Sequence, residues 1–120
     1  MPVRSLSSSV LKWPNSGEVI QTARRWACQV GQKRDDVLRI GCFGSYAKGT
    51  WGVGSDLDIV IVVKDTDQPF SIRASQWDTT PLPVPVDVIV YTQREWDSLP
   101  QGGRAAKMFR DETIWLYERA

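Results

Sequence analysis

The fold is decided by a strand, a glycine-rich turn and a second strand, which together occupy residues 37–63, VLRIGCFGSYAKGTWGVGSDLDIVIVV. Residues 37–43 have the apolar character of a strand and lead directly into Gly44-Ser45. After a glycine-rich loop, residues 56–63 open with two carboxylates one position apart and continue as a β-branched run. The stretch therefore predicts a turn at the end of one strand, close to an acidic beginning of the next.

The flanking segments alternate between helix and strand signals. Ser16 is predicted to cap a helix that has Glu18 in its first turn and ends near Lys33. A Thr92 to Glu95 capping box predicts the start of a later helix. The other predicted elements are a helical turn over 46–48, a short helix over 70–78, a third strand over 86–91, helices over 93–99 and 104–110, and a strand or helical turn over 113–117.

This order predicts a single α/β domain over residues 1–120, in which residues 1–14 form an irregular lead-in. The expected architecture is a small mixed β-sheet with helices packed mainly on one face and the functional site on the other.

Composition excludes several classes of function. Fifteen basic and fourteen acidic residues leave a formal charge of +1, and the basic residues are scattered, so extended nucleic acid is not the expected partner. The chain has no His, which excludes zinc sites made of His and Cys and general base catalysis by His. No apolar run has the length of a signal peptide or a membrane span, so we expect a cytoplasmic protein with no membrane partner.

Asp56 and Asp58 are the first candidate catalytic residues. Alternate residues of a strand share a face, so both carboxylates point the same way, with Cα atoms roughly 7 Å apart. Such a pair repels itself unless a divalent cation lies between the charges. The alternative is two solvated aspartates at a strand end.

Asp87 is the third candidate, because it interrupts the apolar run from Val84 to Val90. An ionised group inside a buried strand is costly unless it is paired or binds a metal. If this strand neighbours residues 56–63, three carboxylates converge on a site suited to Mg²⁺ or Mn²⁺. The alternative is an ion pair with a basic residue such as Arg39.

Gly44 and Ser45 are candidate phosphate-binding residues. Their backbone N–H groups and the hydroxyl can donate to phosphate oxygens, and glycine allows close approach. Lys48 and Ser55 are further candidates for nucleotide binding. The alternatives are an ordinary turn, a merely flexible loop and a solvated lysine.

The combined motif resembles the DNA polymerase β-like nucleotidyltransferase superfamily, and more narrowly its minimal members, the MNT proteins. It consists of Gly44-Ser45, ten intervening residues, Asp56-Leu57-Asp58 and a later Asp87. The resemblance implies a palm fold and transfer of a nucleoside monophosphate, usually from ATP, with two Mg²⁺ ions. Asp56 and Asp58 would hold both ions, Asp87 would share the ion on the acceptor side, and Gly44 and Ser45 would hold the β- and γ-phosphates.

The resemblance also implies a partner. Larger relatives append a helical domain that holds the acceptor, whereas MNT proteins lack one, and many are antitoxins that attach AMP to a tyrosine of a separate HEPN toxin. Two alternatives stay open: the catalytic subunit of a two-component small-molecule nucleotidyltransferase that modifies aminoglycoside-like alcohols, and a non-catalytic nucleotide-binding or steric partner protein. The residues do not select the acceptor, the nucleobase, or a homo- or hetero-oligomer.

Overall fold

The computed structural model describes residues 15–48 and 56–119. The predicted lead-in over 1–14 and the glycine loop over 49–55, which includes Ser55, lie outside the described residues. The elements are α1 (Ser16–Lys33), β1 (Val37–Phe43), α2 (Ser45–Lys48), β2 (Leu57–Val63), a 3₁₀ helix (Phe70–Gln76), β3 (Val86–Thr92), α3 (Gln93–Asp97), α4 (Arg104–Glu112) and β4 (Ile114–Glu118).

The four strands form one mixed sheet in the order β3-β2-β1-β4. β1 pairs antiparallel with both β2 and β4, whereas β2 and β3 are parallel. The parallel register places Asp58 opposite Asp87, and the antiparallel register places Phe43 opposite Asp58. The end of β1 and the beginnings of β2 and β3 therefore meet at one end of the sheet.

Helix α1 covers the first face of the sheet. Its apolar positions, Val19, Ala23 and Ala27, are fully buried against a core that includes Ile40 and Ile59. The predicted cap at Ser16 is wrong by one position: the Asn15 side chain accepts from the Glu18 backbone N–H at 2.8 Å and donates to the Glu18 carboxylate at 2.9 Å. Asn15 can do both because its amide is at once a donor and an acceptor.

The second face carries an aromatic cluster, which consists of Phe43, Tyr91, Trp96, Phe109 and Trp115. Phe109 of α4 packs edge-on against Phe43, with ring centroids 5.2 Å apart, and edge-on against Tyr91 at 5.8 Å. Val60 and Val62, whose side chains alternate with those of the first face, are fully buried as well. The predicted mixed α/β sheet is confirmed, and the middle of the second face is covered by α4 while one end carries the acidic residues.

Several local predictions are confirmed and two are refined. β1 occupies the predicted residues, and the Thr92–Glu95 capping box is present in full at the start of α3. The segment expected as a short helix over 70–78 is a 3₁₀ helix, and the final segment is a strand rather than a helical turn. No helix in the described parts of the chain is both long and apolar enough to cross a membrane.

Candidate active site

The site is built where β2 and β3 begin. Asp58 and Asp87 are register partners on adjacent parallel strands, so their side chains leave the sheet on the same face, one strand spacing apart. Asp56 directly precedes β2, two positions from Asp58. The structure thus places Asp58 and Asp87 side by side on adjacent strands, with Asp56 two positions before Asp58.

The electrostatics of Asp58 reflect this crowding. Burial raises the pKa of the Asp58 carboxyl, and the neighbouring charges of Asp87 and then Asp56 raise it further. Each cause disfavours the ionised form, since a partly desolvated anion next to other anions loses hydration and gains repulsion. A cation bound among these groups would offset both.

Gly44 lies on the β1 side of Asp58, on the other side of that residue from Asp87. It follows β1 with φ of +77°, a conformation that L side chains rarely adopt. A Cβ at this position would clash with Oδ2 of Asp58 and stand 3.4 Å from its Cγ. Glycine therefore lets the backbone turn and allows the Asp58 carboxylate to lie directly against it. The sequence predicts a phosphate contact at Gly44 but gives no sign of this one, because the contact depends on the antiparallel register of β1 and β2.

Ser45 begins α2 directly after this turn, and the following Tyr46 is buried in the core, which fixes the position of the turn. Ser45 is partly exposed beside the carboxylates. Lys48 ends α2, but its side chain, like all of Ser55, lies outside what the structure describes. Phosphate binding by Gly44 and Ser45, and nucleotide contacts by Lys48 and Ser55, stay predictions.

The reason given for Asp87 needs correction. The apolar run around it predicted a buried carboxylate, yet Asp87 is exposed. The physical reason is that Asp87 lies near the start of β3, which is an edge strand of the described sheet. The alternative partner Arg39 lies elsewhere, with its guanidinium 4.8 Å from the centroid of the Trp115 ring.

Cys42, the buried cysteine next to the turn, has no place in this chemistry. Burial raises the pKa of its thiol to about 11, so the group is neutral at pH 7. A neutral buried thiol is a poor nucleophile.

The acidic residues suit a hard divalent cation by their chemistry. Asp56 and Asp87 are exposed, Asp58 is half-buried, and all three offer carboxylate oxygens, the donors that Mg²⁺ and Mn²⁺ prefer. Within residues 15–48 and 56–119, no three His, Cys, Asp or Glu side chains are gathered tightly enough to hold an ion as they stand.

Comparisons with known proteins identify the fold and the family. The chain resembles a candidate nucleotidyltransferase from Sulfolobus solfataricus, with 20% identity and a TM-score of 0.62 over 87% of this chain and 84% of that one. It also resembles a toxin–antitoxin structure with AMP-PNP, with 20% identity and a TM-score of 0.53 over 88% of this chain and 75% of the other. A variant of the MntA-HpeT toxin–antitoxin gives 20% identity and a TM-score of 0.51 over 89% and 75%.

At this identity the structural likenesses show the fold alone. The comparison with curated proteins gives no match. The model of the nucleotidyltransferase domain family matches residues 25–116, which include the Gly44 turn and all three carboxylates. The chain therefore belongs to the nucleotidyltransferase domain family.

Proposed function

We propose that this nucleotidyltransferase transfers AMP from ATP to a hydroxyl of a partner protein, most specifically to a tyrosine of a HEPN-type toxin, and so acts as an antitoxin. The observation that carries the proposal is the register pairing of Asp58 with Asp87 directly beside the Gly44 turn. Solved toxin–antitoxin structures with the same fold, one of them with AMP-PNP, support the same assignment.

The geometry divides the site into two sides. Gly44 and Ser45 lie on the β1 side of Asp58, and Asp87 lies on its β3 side. In-line phosphoryl chemistry requires the entering and leaving oxygens to be on opposite sides of the phosphorus. The pyrophosphate would therefore leave against the Gly44 turn, and the acceptor would approach from β3.

In the proposed reaction the acceptor oxygen attacks the α-phosphorus of ATP and forms a new P–O bond. The bond from the α-phosphorus to the oxygen that bridges to the β-phosphorus breaks, and pyrophosphate leaves with that electron pair. The carboxylate of Asp87 takes the hydroxyl proton, and Gly44 and Ser45 donate to the departing phosphates. Asp56 and Asp58 would hold two divalent cations, with Asp87 sharing one, and these ions would supply charge neutralisation at the reacting oxygens.

The acceptor side supports a protein rather than a polycationic sugar. Phe70 and Ile72 are large apolar side chains that are 49% and 46% exposed. Phe70 packs on Tyr91 of the edge strand β3, with ring centroids 5.7 Å apart, and Tyr91 shares a strand face with Asp87. Tyr91 lies four positions along β3 from Asp87, which is about 13 Å of strand. Exposed apolar groups at this distance from the carboxylates favour a partner that also contacts the protein outside the reactive site.

The proposal is tested by incubating the chain with α-labelled ATP, Mg²⁺ and, as acceptor, the product of the adjacent gene, which the proposal expects to be a HEPN protein. We expect label on that protein, and we expect Asp58→Asn to abolish it. Asp67→Asn, which removes an exposed acid away from the site, is the matched control and should label normally. Equal labelling by the Asp58 variant would refute the metal assignment.

The same assay separates the alternatives. Label on an aminoglycoside but not on the HEPN protein would favour the two-component small-molecule enzyme. Binding of ATP and metal without pyrophosphate release, whatever the acceptor, would favour a non-catalytic partner protein.

A further inference from the structure

A cleft of about 430 Å³ opens on the second face of the sheet, at the end away from the acidic residues. Its lining combines aromatic rings with cationic and amide groups, chiefly Arg39, Trp96, Gln101, Phe109, Arg110 and Trp115. Arg39 lies four positions before Phe43, the register partner of Asp58, so about 13 Å of strand separates this cleft from the acidic site. The two sites can be filled at the same time.

Arg39 is the central polar group of the cleft. Its guanidinium carbon is 4.8 Å from the Trp115 ring centroid and 5.6 Å from that of Trp96. Within the described parts of the chain, Arg39 has these ring contacts but no hydrogen bond or ion pair from its side chain. Rings that stack on a guanidinium leave its N–H edge available, and that edge matches the oxygens of a carboxylate or phosphate.

Besides Arg39, the cleft is lined by two other charged side chains, Arg110 and Asp97. Arg110 pairs with its exposed neighbour Asp111 at 3.5 Å, a contact that solvent weakens. The acid in the lining, Asp97, already accepts from the Gln93 side-chain amide at 2.8 Å. The lining therefore carries two guanidinium groups and one carboxylate, a formal charge of +1, and Glu118 is the register partner of Arg39 on β4.

We propose that this cleft binds a small aromatic anion of the nucleoside monophosphate class, with the ring against Trp96 and Trp115 and the anion on Arg39 and Arg110. Its volume lies in the range of small-molecule sites, and its mixture of rings with a few polar groups is typical of them. The binding is independent of metal and of nucleotidyl transfer, because none of the three carboxylates of the acidic site lines the cleft.

Tryptophan fluorescence tests this, since Trp96 and Trp115 both line the cleft. AMP, adenosine and ribose 5-phosphate are each titrated in EDTA into the Asp58→Asn variant, so that the acidic site is disabled. We expect AMP to bind more tightly than adenosine, which lacks the anion, and more tightly than ribose 5-phosphate, which lacks the ring. Arg39→Gln in the same background should weaken AMP binding about tenfold or more and leave adenosine binding unchanged.

Arg25→Gln is the control, because it removes an exposed arginine of α1 far from the cleft. Arg39→Lys, which keeps the charge, should restore part of the affinity for AMP, and this separates anion binding from a packing defect. The proposal is overturned if AMP fails to bind the Asp58→Asn protein. It is equally overturned if Arg39→Gln binds AMP as its parent does, or if ribose 5-phosphate binds as well as AMP.

Discussion

Replacing Gly44 with alanine tests the closest contact in the acidic site. The variant puts a side chain at φ of +77°, which costs about 1–2 kcal/mol of unfolding free energy. Its Cβ also clashes with Oδ2 of Asp58, so the carboxylate or the turn must move by roughly 1 Å, a displacement of the size that costs about 10²-fold in rate. For divalent cation binding the expected loss is about 10–100-fold, as for other changes that misorient a ligand.

The measurement is a calorimetric titration with Mn²⁺ and a non-hydrolysable ATP analogue, together with urea unfolding. Gly102→Ala is the matched control, because a Cβ at Gly102 meets nothing within 4 Å, and it should change neither quantity appreciably. If Gly44→Ala loses stability as expected but binds Mn²⁺ and nucleotide as the natural protein does, the Asp58 carboxylate can move without harm to binding. That result would refute the argument that a Cβ at position 44 displaces a metal ligand.

Three further changes probe charge and packing. Asp58→Asn should stabilise the metal-free protein at neutral pH, because the raised pKa of Asp58 makes its ionisation unfavourable in the fold. The gain should vanish as pH falls below 3.8, the ordinary pKa of an aspartate, and a loss of stability at pH 7 would contradict this. Glu95→Gln should cost about 0.5–1 kcal/mol at neutral pH. Hydrogen bonds from the buried Arg73 guanidinium lower the pKa of Glu95, but solvent screens this carboxylate, which is 40% exposed. That stability is present above pH 4.5, the ordinary pKa of a glutamate, and is lost as pH falls through the lower pKa of the folded state. Urea unfolding that is the same for Glu95→Gln and the natural protein at pH 7 would contradict this. Gly31→Ala should lower the free energy of unfolding by about 1–3 kcal/mol despite alanine's helix propensity, because the added Cβ clashes with the Tyr117 ring. A thermal midpoint above that of the natural protein would contradict this and would show that α1 can move away from β4 at little cost.

Much of the fold follows from local physics. β1 and the capping box at Thr92 and Glu95 were predicted correctly, because strand propensity and capping depend on neighbours in the chain. The cap of α1 was misplaced because Asn15 and Ser16 are both good caps, and local sequence does not choose between them.

The site needed information that local patterns lack. Asp58 and Asp87 meet through a parallel register set by the whole crossover, and the exposure of Asp87 depends on β3 being an edge strand. A missed signal was available in β2: its unbroken apolar run from Ile59 to Val63 is typical of a strand covered on both faces. That pattern predicts a layer over the second face, which α4 supplies through Phe109.

The parallel pairing of β2 and β3 also has a consequence for the order in which the chain folds during synthesis. A nascent chain that has emerged only as far as Val63 carries Asp56 and Asp58, but it lacks Asp87 and the strand that positions it. Closing a long crossover is entropically slow compared with forming local turns and helices. The pairing of Asp58 with Asp87, on which the proposed function rests, should therefore form late in folding.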